Sequence, residues 1–499
     1  GFTYIDLIIL VVYLAAVLFA GLHFAKKEMK GKEYFKGDGT VPWWVTSVSI
    51  FATLLSPISF LSLAGNSYAG TWIMWFAQLG MLLAIPLTIK FFLPVYSKLD
   101  IDTAYHYLEL RFGSKGLRVL GAVMFIIYQI GRMSIIMYLP CMVLGSLTGI
   151  SVNLLIIIMG VIAIIYSYTG GLKSVLWTDF IQGSVLLIGV TFALVFLIAH
   201  IDGGMGAIFQ AFSLEHKFLA VDQPIFNPNI FKDSVFILIV GAGFNTMGSY
   251  VSSQDIVQRF TTTTDTKKLN KMMLTNGALS IFIATVFYLI GTGLFVFYKQ
   301  NALPPAAAQD QIFASYIAFE LPVGVTGLLL AAIYAAAQST LSTGLNSVAS
   351  SWALDIQSNL SKEELGFEKE TKIGQRVSLA VGIFSIVVAM VLANGGVKSA
   401  YEWFNGFMGL VLGILIGTFI LGAFTKVANT FGATAAFIAA SAVMVYIKYF
   451  VPAGQVTIWS YSIISIAVSL VVGIPASIIW RSIKGDKSEP APNTTIYKN

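Results

Sequence analysis

The stretch SIFATLLSPISFLSLAG, residues 49–65, decides how this chain folds. Its apolar residues would cross a bilayer as one helix, but Pro57 stands in the middle of them. A proline there offers no N–H to the carbonyl four residues earlier, that of Thr53, and its ring crowds the preceding turn. Ser56 and Ser59 flank the interruption. Two readings are open. One is a simple kink. The other is a discontinuous helix whose unwound carbonyls bind a cation and whose half-helix ends face a solute. The second reading needs a matching break in the second half of the chain. The Gly-rich, polar stretch GAGFNTMGSYVSSQD at 241–255 is the one that fits.

Outward from this stretch, the apolar runs repeat. Thirteen candidate spans lie near 5–25, 43–69, 71–97, 117–147, 152–169, 173–199, 233–252, 271–298, 313–353, 373–393, 398–424, 430–450 and 457–480. A bilayer requires roughly 20 residues of helix, and several of these runs exceed a straight crossing, so tilt or breaks are expected. The composition agrees. The 499 residues are 57% hydrophobic and 11% charged, where soluble domains carry about 25% charge. A cytosolic enzyme, a disordered chain and an outer-membrane barrel, whose strands alternate over about 10 residues, are all excluded. A single cysteine, Cys141, excludes a disulfide framework and a thiolate metal site. The first block is read as a span rather than a cleavable signal. It has Asp6 near its start, no basic leader, and Lys26, Lys27, Lys30 and Lys32 after it.

Basic residues in the loops set the orientation. With the N-terminus outside and the C-terminus inside, 24 of the 30 Lys and Arg residues fall on the inner side, Arg259 among them. Lys217, Lys232, Lys299, Lys398 and Lys448 fall outside, and Arg132 falls within the membrane. The net charge of +6 is therefore a topology signal toward a lipid bilayer, not a nucleic-acid surface. No obligate protein partner is evident. The outer loop near 200–232 is read as a gate or cap. The inner stretch 354–372 is read as a short surface helix or loop, and the tail 484–499 as disordered and cytoplasmic.

Two charges stand where the bilayer makes charge costly and usually functional: Arg132 and Asp179. Either they pair with each other, or they act apart. In the second case Asp179 faces Na⁺ or H⁺, and Arg132 faces an anionic solute, whose carboxylate its planar fork matches. In AAIYAAAQSTLSTGLNS, Ala336, Ser339, Thr340 and Thr343 form one helical stripe with Ser342 beside it. Small residues at this density serve tight helix packing. Neutral hydroxyl oxygens near a carboxylate also suit a small hard cation. A channel would need a charged ring or a repeated pore motif, and neither is present. His23, His106, His200 and His216 lie at span ends or in loops with no HExxH, so an enzyme is not expected.

The runs YSYTGGLKSVLWTDFIQG (166–183), SQDIVQRF (253–260), YLELRFG (107–113) and AAAQSTLSTGLNS (335–347) together resemble the sodium/solute symporter family over nearly the whole chain. Within it, YQIGRMSIIMYL around Arg132 is most similar to bacterial sialic acid symporters. The resemblance implies an all-α polytopic membrane protein of about 13 transmembrane helices. Its core would be a LeuT-like 5+5 inverted repeat. The chain would then be one integral membrane domain, 1–499, with an extra helix at 5–25, repeats at 43–199 and 233–424, and two further helices at 430–480.

The resemblance also implies the site residues. A first Na⁺ site would use the carbonyls of Ala52, Leu55 and Ala336 with the hydroxyls of Ser339 and Thr340. A second would use Asp179, Ser342 and Thr343, sharing Ser339. The solute carboxylate would meet Arg132, with Ser56, Ser59, Gln78 and Asn245 at its polar groups. Leu54 and Pro57 stand where the closest pattern has hydroxyls. The implied activity is Na⁺-driven import of an anionic sugar acid of the sialic acid class across a bacterial inner membrane. Proline, pantothenate or a short organic acid is the alternative solute.

Overall fold

The computed structural model describes residues 3–24, 32–305, 307, 309, 311–395 and 400–497. Among them every regular element is helical. Lys26, Lys27, Lys30, Lys398 and Lys498 of the charge count lie outside the described residues. Among the described residues eleven helices are long and apolar enough to cross a membrane, twelve with one bent pair counted as a span. The helix Ala400–Phe424 occupies the expected stretch at 398–424. The expected spans at 152–169 and 173–199 are two helices, Val152–Thr169 and Gly171–Ala199, that meet at a kink at Gly171, where φ is 57°. A side chain there would meet the backbone and ring of Tyr34, so only glycine fits.

The bent pair is the 49–65 stretch. Trp43–Leu54 and Pro57–Ala69 meet at 65°. Leu55 and Ser56 between them are extended. Pro57 takes the first helical position, where a missing N–H costs nothing, and the Ser56 hydroxyl accepts from the Ser59 N–H at 3.1 Å. A second break lies inside the 241–255 stretch. Val235–Ser252 ends at Ser253, which is extended, and the seven-residue helix Gln254–Phe260 follows.

Three expectations need correction. The expected span at 313–353 is two helices, Ile312–Phe319 and Val325–Ser350. Gly324, with φ of 92°, turns the chain between them. The Asp6 carboxylate, from the first helix, caps the second by accepting from the N–H groups of Gly324 and Gly327, both at 2.8 Å. The stretch 354–372, expected as a surface helix or loop, is not wholly on the surface. Helix continues to Ser358, and Asp355 is fully buried, 2.6 Å from the Nε of Arg118. Arg118 also pairs with Glu109 at 2.7 Å. The tail is held rather than loose. Tyr107 donates to the Thr494 carbonyl at 2.7 Å, and the Ile496 N–H to the Ala423 carbonyl at 3.0 Å. Backbone hydrogen bonding and burial of Thr494 offset the low apolar content of this segment.

Two features frame the centre of the molecule. A Cβ on Gly80 would lie 2.5 Å from the Gly243 nitrogen. That close approach brings the span Ile73–Leu99 against Val235–Ser252 and holds Gln78 near Asn245. The 200–232 segment packs on the end of Pro57–Ala69. Lys217 donates to the carbonyls of Tyr68 and Gly70 at 2.8 and 2.7 Å, and its ammonium stands 4.1 Å from the Phe295 ring centre. Burial pushes this ammonium down to about 8, with Glu215 pulling the other way and Lys299 adding to the fall.

Candidate functional site

A cavity of about 290 Å³ lies between the two breaks. That is near the lower limit for small-molecule sites, about 300–1,000 Å³, and suits a solute of monosaccharide size. Ser56, Ser59, Gln78, Arg132 and Asn245 all line it. Ser62, Thr246, Ser249 and Ser253 add further polar groups, while Tyr128, Met74 and Trp459 supply apolar wall. Asn245 accepts from the Ser462 hydroxyl. Leu54 also lines the cavity, an apolar surface at the break. At one end the lining residues Asn66, Met74, Ile458 and Trp459 are half-buried. Elsewhere along its wall Arg132, Ser253 and Asp255 are buried. The cavity is therefore more accessible at the end beside Asn66, Met74, Ile458 and Trp459.

Arg132 is 6% exposed. Its Nη2 donates to the Thr53 carbonyl at 3.0 Å, and its Nη1 to the Asp255 carboxylate at 2.9 Å. The Thr53 carbonyl is the one that Pro57 cannot reach, so the sequence break and the buried cation are two halves of one arrangement. The Nε of Arg132 has no hydrogen-bond partner among the described residues. A buried guanidinium with a spare donor, at the wall of a polar cavity, has the chemistry that suits an anion.

Asp179 does not pair with Arg132. Its Oδ2 accepts from Ser49 Oγ at 2.7 Å, Thr343 Oγ1 at 3.0 Å and Arg259 Nη2 at 3.0 Å, and its Oδ1 accepts from Ser342 Oγ at 3.3 Å. Arg259 is fully buried, which corrects its place among the inner-loop charges. It also donates to Thr343 Oγ1 at 2.6 Å and to the Asp255 carbonyl at 2.8 Å. Burying this pair is offset only by such complete satisfaction of both groups, and removing one partner leaves an uncompensated charge.

The hydroxyl stripe lies on Val325–Ser350, whose central and C-terminal turns are buried throughout. Thr53 Oγ1 and Thr343 Oγ1 are 3.2 Å apart, so the stripe and the first break face each other. Thr340 Oγ1 donates to the Ala336 carbonyl at 3.2 Å, and Ser342 Oγ to the Ser339 carbonyl at 3.3 Å. The Ser339 hydroxyl is fully buried and has no partner among the described residues. An orphaned buried oxygen is costly unless something binds it. The carbonyls of Ala52 and Leu55 flank the break itself. Neutral oxygens of this kind suit a hard cation. No cluster of three or more His, Cys, Asp or Glu that could hold a metal exists among the described residues.

Sequence reasoning missed Asp255, Arg259 and Ser49. SQDIVQRF carries the resemblance, and of its two charges only Arg259 enters the sequence reading, as an inner-side basic residue rather than a buried partner. The available signal was an acid and a base four residues apart, next to a polar span.

Known proteins give the same outline. The family model described as "Sodium:solute symporter family" matches residues 34–440. The sodium/sialic acid symporter SiaT of Proteus mirabilis is 34% identical over 498 residues, 99% of each chain. The sodium/sialic acid symporter NanT of Aliivibrio fischeri is 31% identical over 490 residues, 98% of this chain and 96% of its own. Among solved structures, a Na⁺-coupled sialic acid symporter in a substrate-bound outward-open state superposes with a TM-score of 0.88 at 32% identity. The match covers 96% of this chain and 98% of that one. Mhp1, a nucleobase-cation-symport-1 family transporter, shares the fold at a TM-score of 0.58 and 14% identity.

Proposed function

The chain belongs to the sodium:solute symporter family, a family of transporters rather than enzymes, and we propose that its solute is a sialic acid such as N-acetylneuraminate. The observation that carries this reading is Arg132: a buried guanidinium with a spare Nε, at the wall of a cavity otherwise lined by hydroxyls and amides. An acidic sugar needs both kinds of group. Arg132 takes the carboxylate, while Ser56, Ser59, Gln78 and Asn245 reach the remaining polar groups. SiaT, NanT and the solved Na⁺-coupled symporter are sialic acid symporters, which supports the same solute. Leu54 and Pro57 at the break favour a second reading, a less hydroxylated carboxylate such as proline, pantothenate or a short organic acid.

Two Na⁺ sites complete the scheme. The first uses the carbonyls of Ala52, Leu55 and Ala336 with Ser339 and Thr340. The second uses Asp179 with Ser342 and Thr343 and shares Ser339. Thirteen membrane helices, ten of them in a LeuT-like pair of inverted repeats, carry these sites across a bacterial inner membrane. The N-terminus is outside, so the more accessible end of the cavity faces out. The 200–232 segment caps that face. Na⁺ and solute enter there, the core rocks, and low internal Na⁺ releases both.

A thermal-shift screen tests the solute. A ligand that binds only the folded state stabilises it by mass action. N-acetylneuraminate should raise the melting temperature in NaCl and far less in KCl. Stabilisation by proline or a short organic acid, with none from N-acetylneuraminate, would replace the solute. The shared ligand has its own test. Ser339→Ala should weaken the Na⁺ dependence at both sites together, lowering apparent Na⁺ affinity about tenfold, the effect of losing one ligand worth about 1.4 kcal/mol. A Na⁺ titration indistinguishable from wild type would remove Ser339 from both sites.

A further inference from the structure

The two buried ion pairs share one turn of helix. Asp255 and Arg259 stand four residues apart on Gln254–Phe260, on the same face. Each turns to a different element. Asp255 Oδ2 meets Arg132 Nη1 at 2.9 Å, and Arg259 Nη2 meets Asp179 Oδ2 at 3.0 Å. They are already joined through the backbone, because Arg259 Nη1 donates to the carbonyl of Asp255 at 2.8 Å. All four side chains are at least nine-tenths buried, and their charges sum to zero.

We propose that Asp255 and Arg259 are partner-exchange residues that couple Na⁺ to solute. This deepens the proposed function and rests on it. Na⁺ arriving at Asp179 takes the place of Arg259. The solute carboxylate arriving at Arg132 takes the place of Asp255. The two released side chains then close on each other within their own turn. Either ligand alone leaves a buried charge without its counter-ion, which is strongly unfavourable. Both together leave none. Each ligand therefore tightens the other, as linkage requires, and the device works only for an anionic solute. The geometry suits the exchange. The Arg259 guanidinium already touches Asp255's own backbone, and the extended Ser253 at the helix break gives this turn a hinge.

Calorimetry on the purified full chain tests it, titrating N-acetylneuraminate in NaCl and in choline chloride. In wild type, solute affinity should be much higher in NaCl. Asp255→Asn removes the internal anion that the solute displaces, so affinity in choline should rise and the Na⁺ enhancement should shrink by at least about tenfold. An enhancement within about threefold of wild type overturns the exchange. Arg259→Gln gives the mirror reading and serves if the first variant does not fold. Na⁺ alone should bind at least about tenfold tighter, and solute should no longer tighten it. Undiminished tightening by solute overturns the proposal equally. A wild-type chain that does not bind N-acetylneuraminate in NaCl overturns the solute reading instead.

Discussion

Arg132→Ala is expected to lower affinity for N-acetylneuraminate by at least about 100-fold, because two hydrogen bonds to a charged group contribute about 3 kcal/mol or more. Na⁺ binding should survive, since no proposed Na⁺ ligand is a group of Arg132. The substitution also strands Asp255, now a buried carboxylate without its 2.9 Å partner, at a cost of about 3–5 kcal/mol in stability. The neutral double variant, Arg132→Ala with Asp255→Asn, separates the two effects. It should regain stability and still fail to bind solute. Solute affinity close to wild type in either variant would remove the anion clamp.

Asp179→Asn carries the second large effect. The amide oxygen can still accept from Ser49 and Thr343, but the negative charge is gone and Arg259 loses its 3.0 Å carboxylate. The second Na⁺ site should be lost and the first retained, so the Hill coefficient for Na⁺ should fall toward one. The charge carried per solute should fall as well. Two Na⁺ with one monoanion move one net positive charge inward, worth about 2.3 kcal/mol per 100 mV. One Na⁺ with the same anion moves none. A Na⁺ curve and a voltage dependence both unchanged would mean that Asp179 serves only as the counter-ion of Arg259.

Much of this was legible in the sequence, for physical reasons that differ from element to element. Spans of about 20 apolar residues announce themselves because a bilayer demands them. Pro57 announces the first break because its missing N–H has a fixed consequence for Thr53, although the donor that answers Thr53, Arg132, lies 79 residues away. Arg132 and Asp179 stood out because each interrupts a long apolar run. Their partners did not. Gln254–Phe260 is only seven residues long, too short for a span-length hydropathy pattern, and its charges sat beside a polar loop. Arg259 therefore counted as a topology signal, although it is fully buried. Which carboxylate a buried arginine meets is a tertiary fact. The tail failed for a related reason: its anchors, Tyr107 and Ala423, are remote in sequence.

The central claim is that Na⁺ and an acidic sugar move together through this chain. Uptake of labelled N-acetylneuraminate into proteoliposomes tests it most directly, with an inward Na⁺ gradient and an imposed inside-negative potential. Uptake should require external Na⁺, exceed the equilibrium level transiently, and quicken as the interior becomes more negative. Equal uptake when choline replaces Na⁺ would contradict the account.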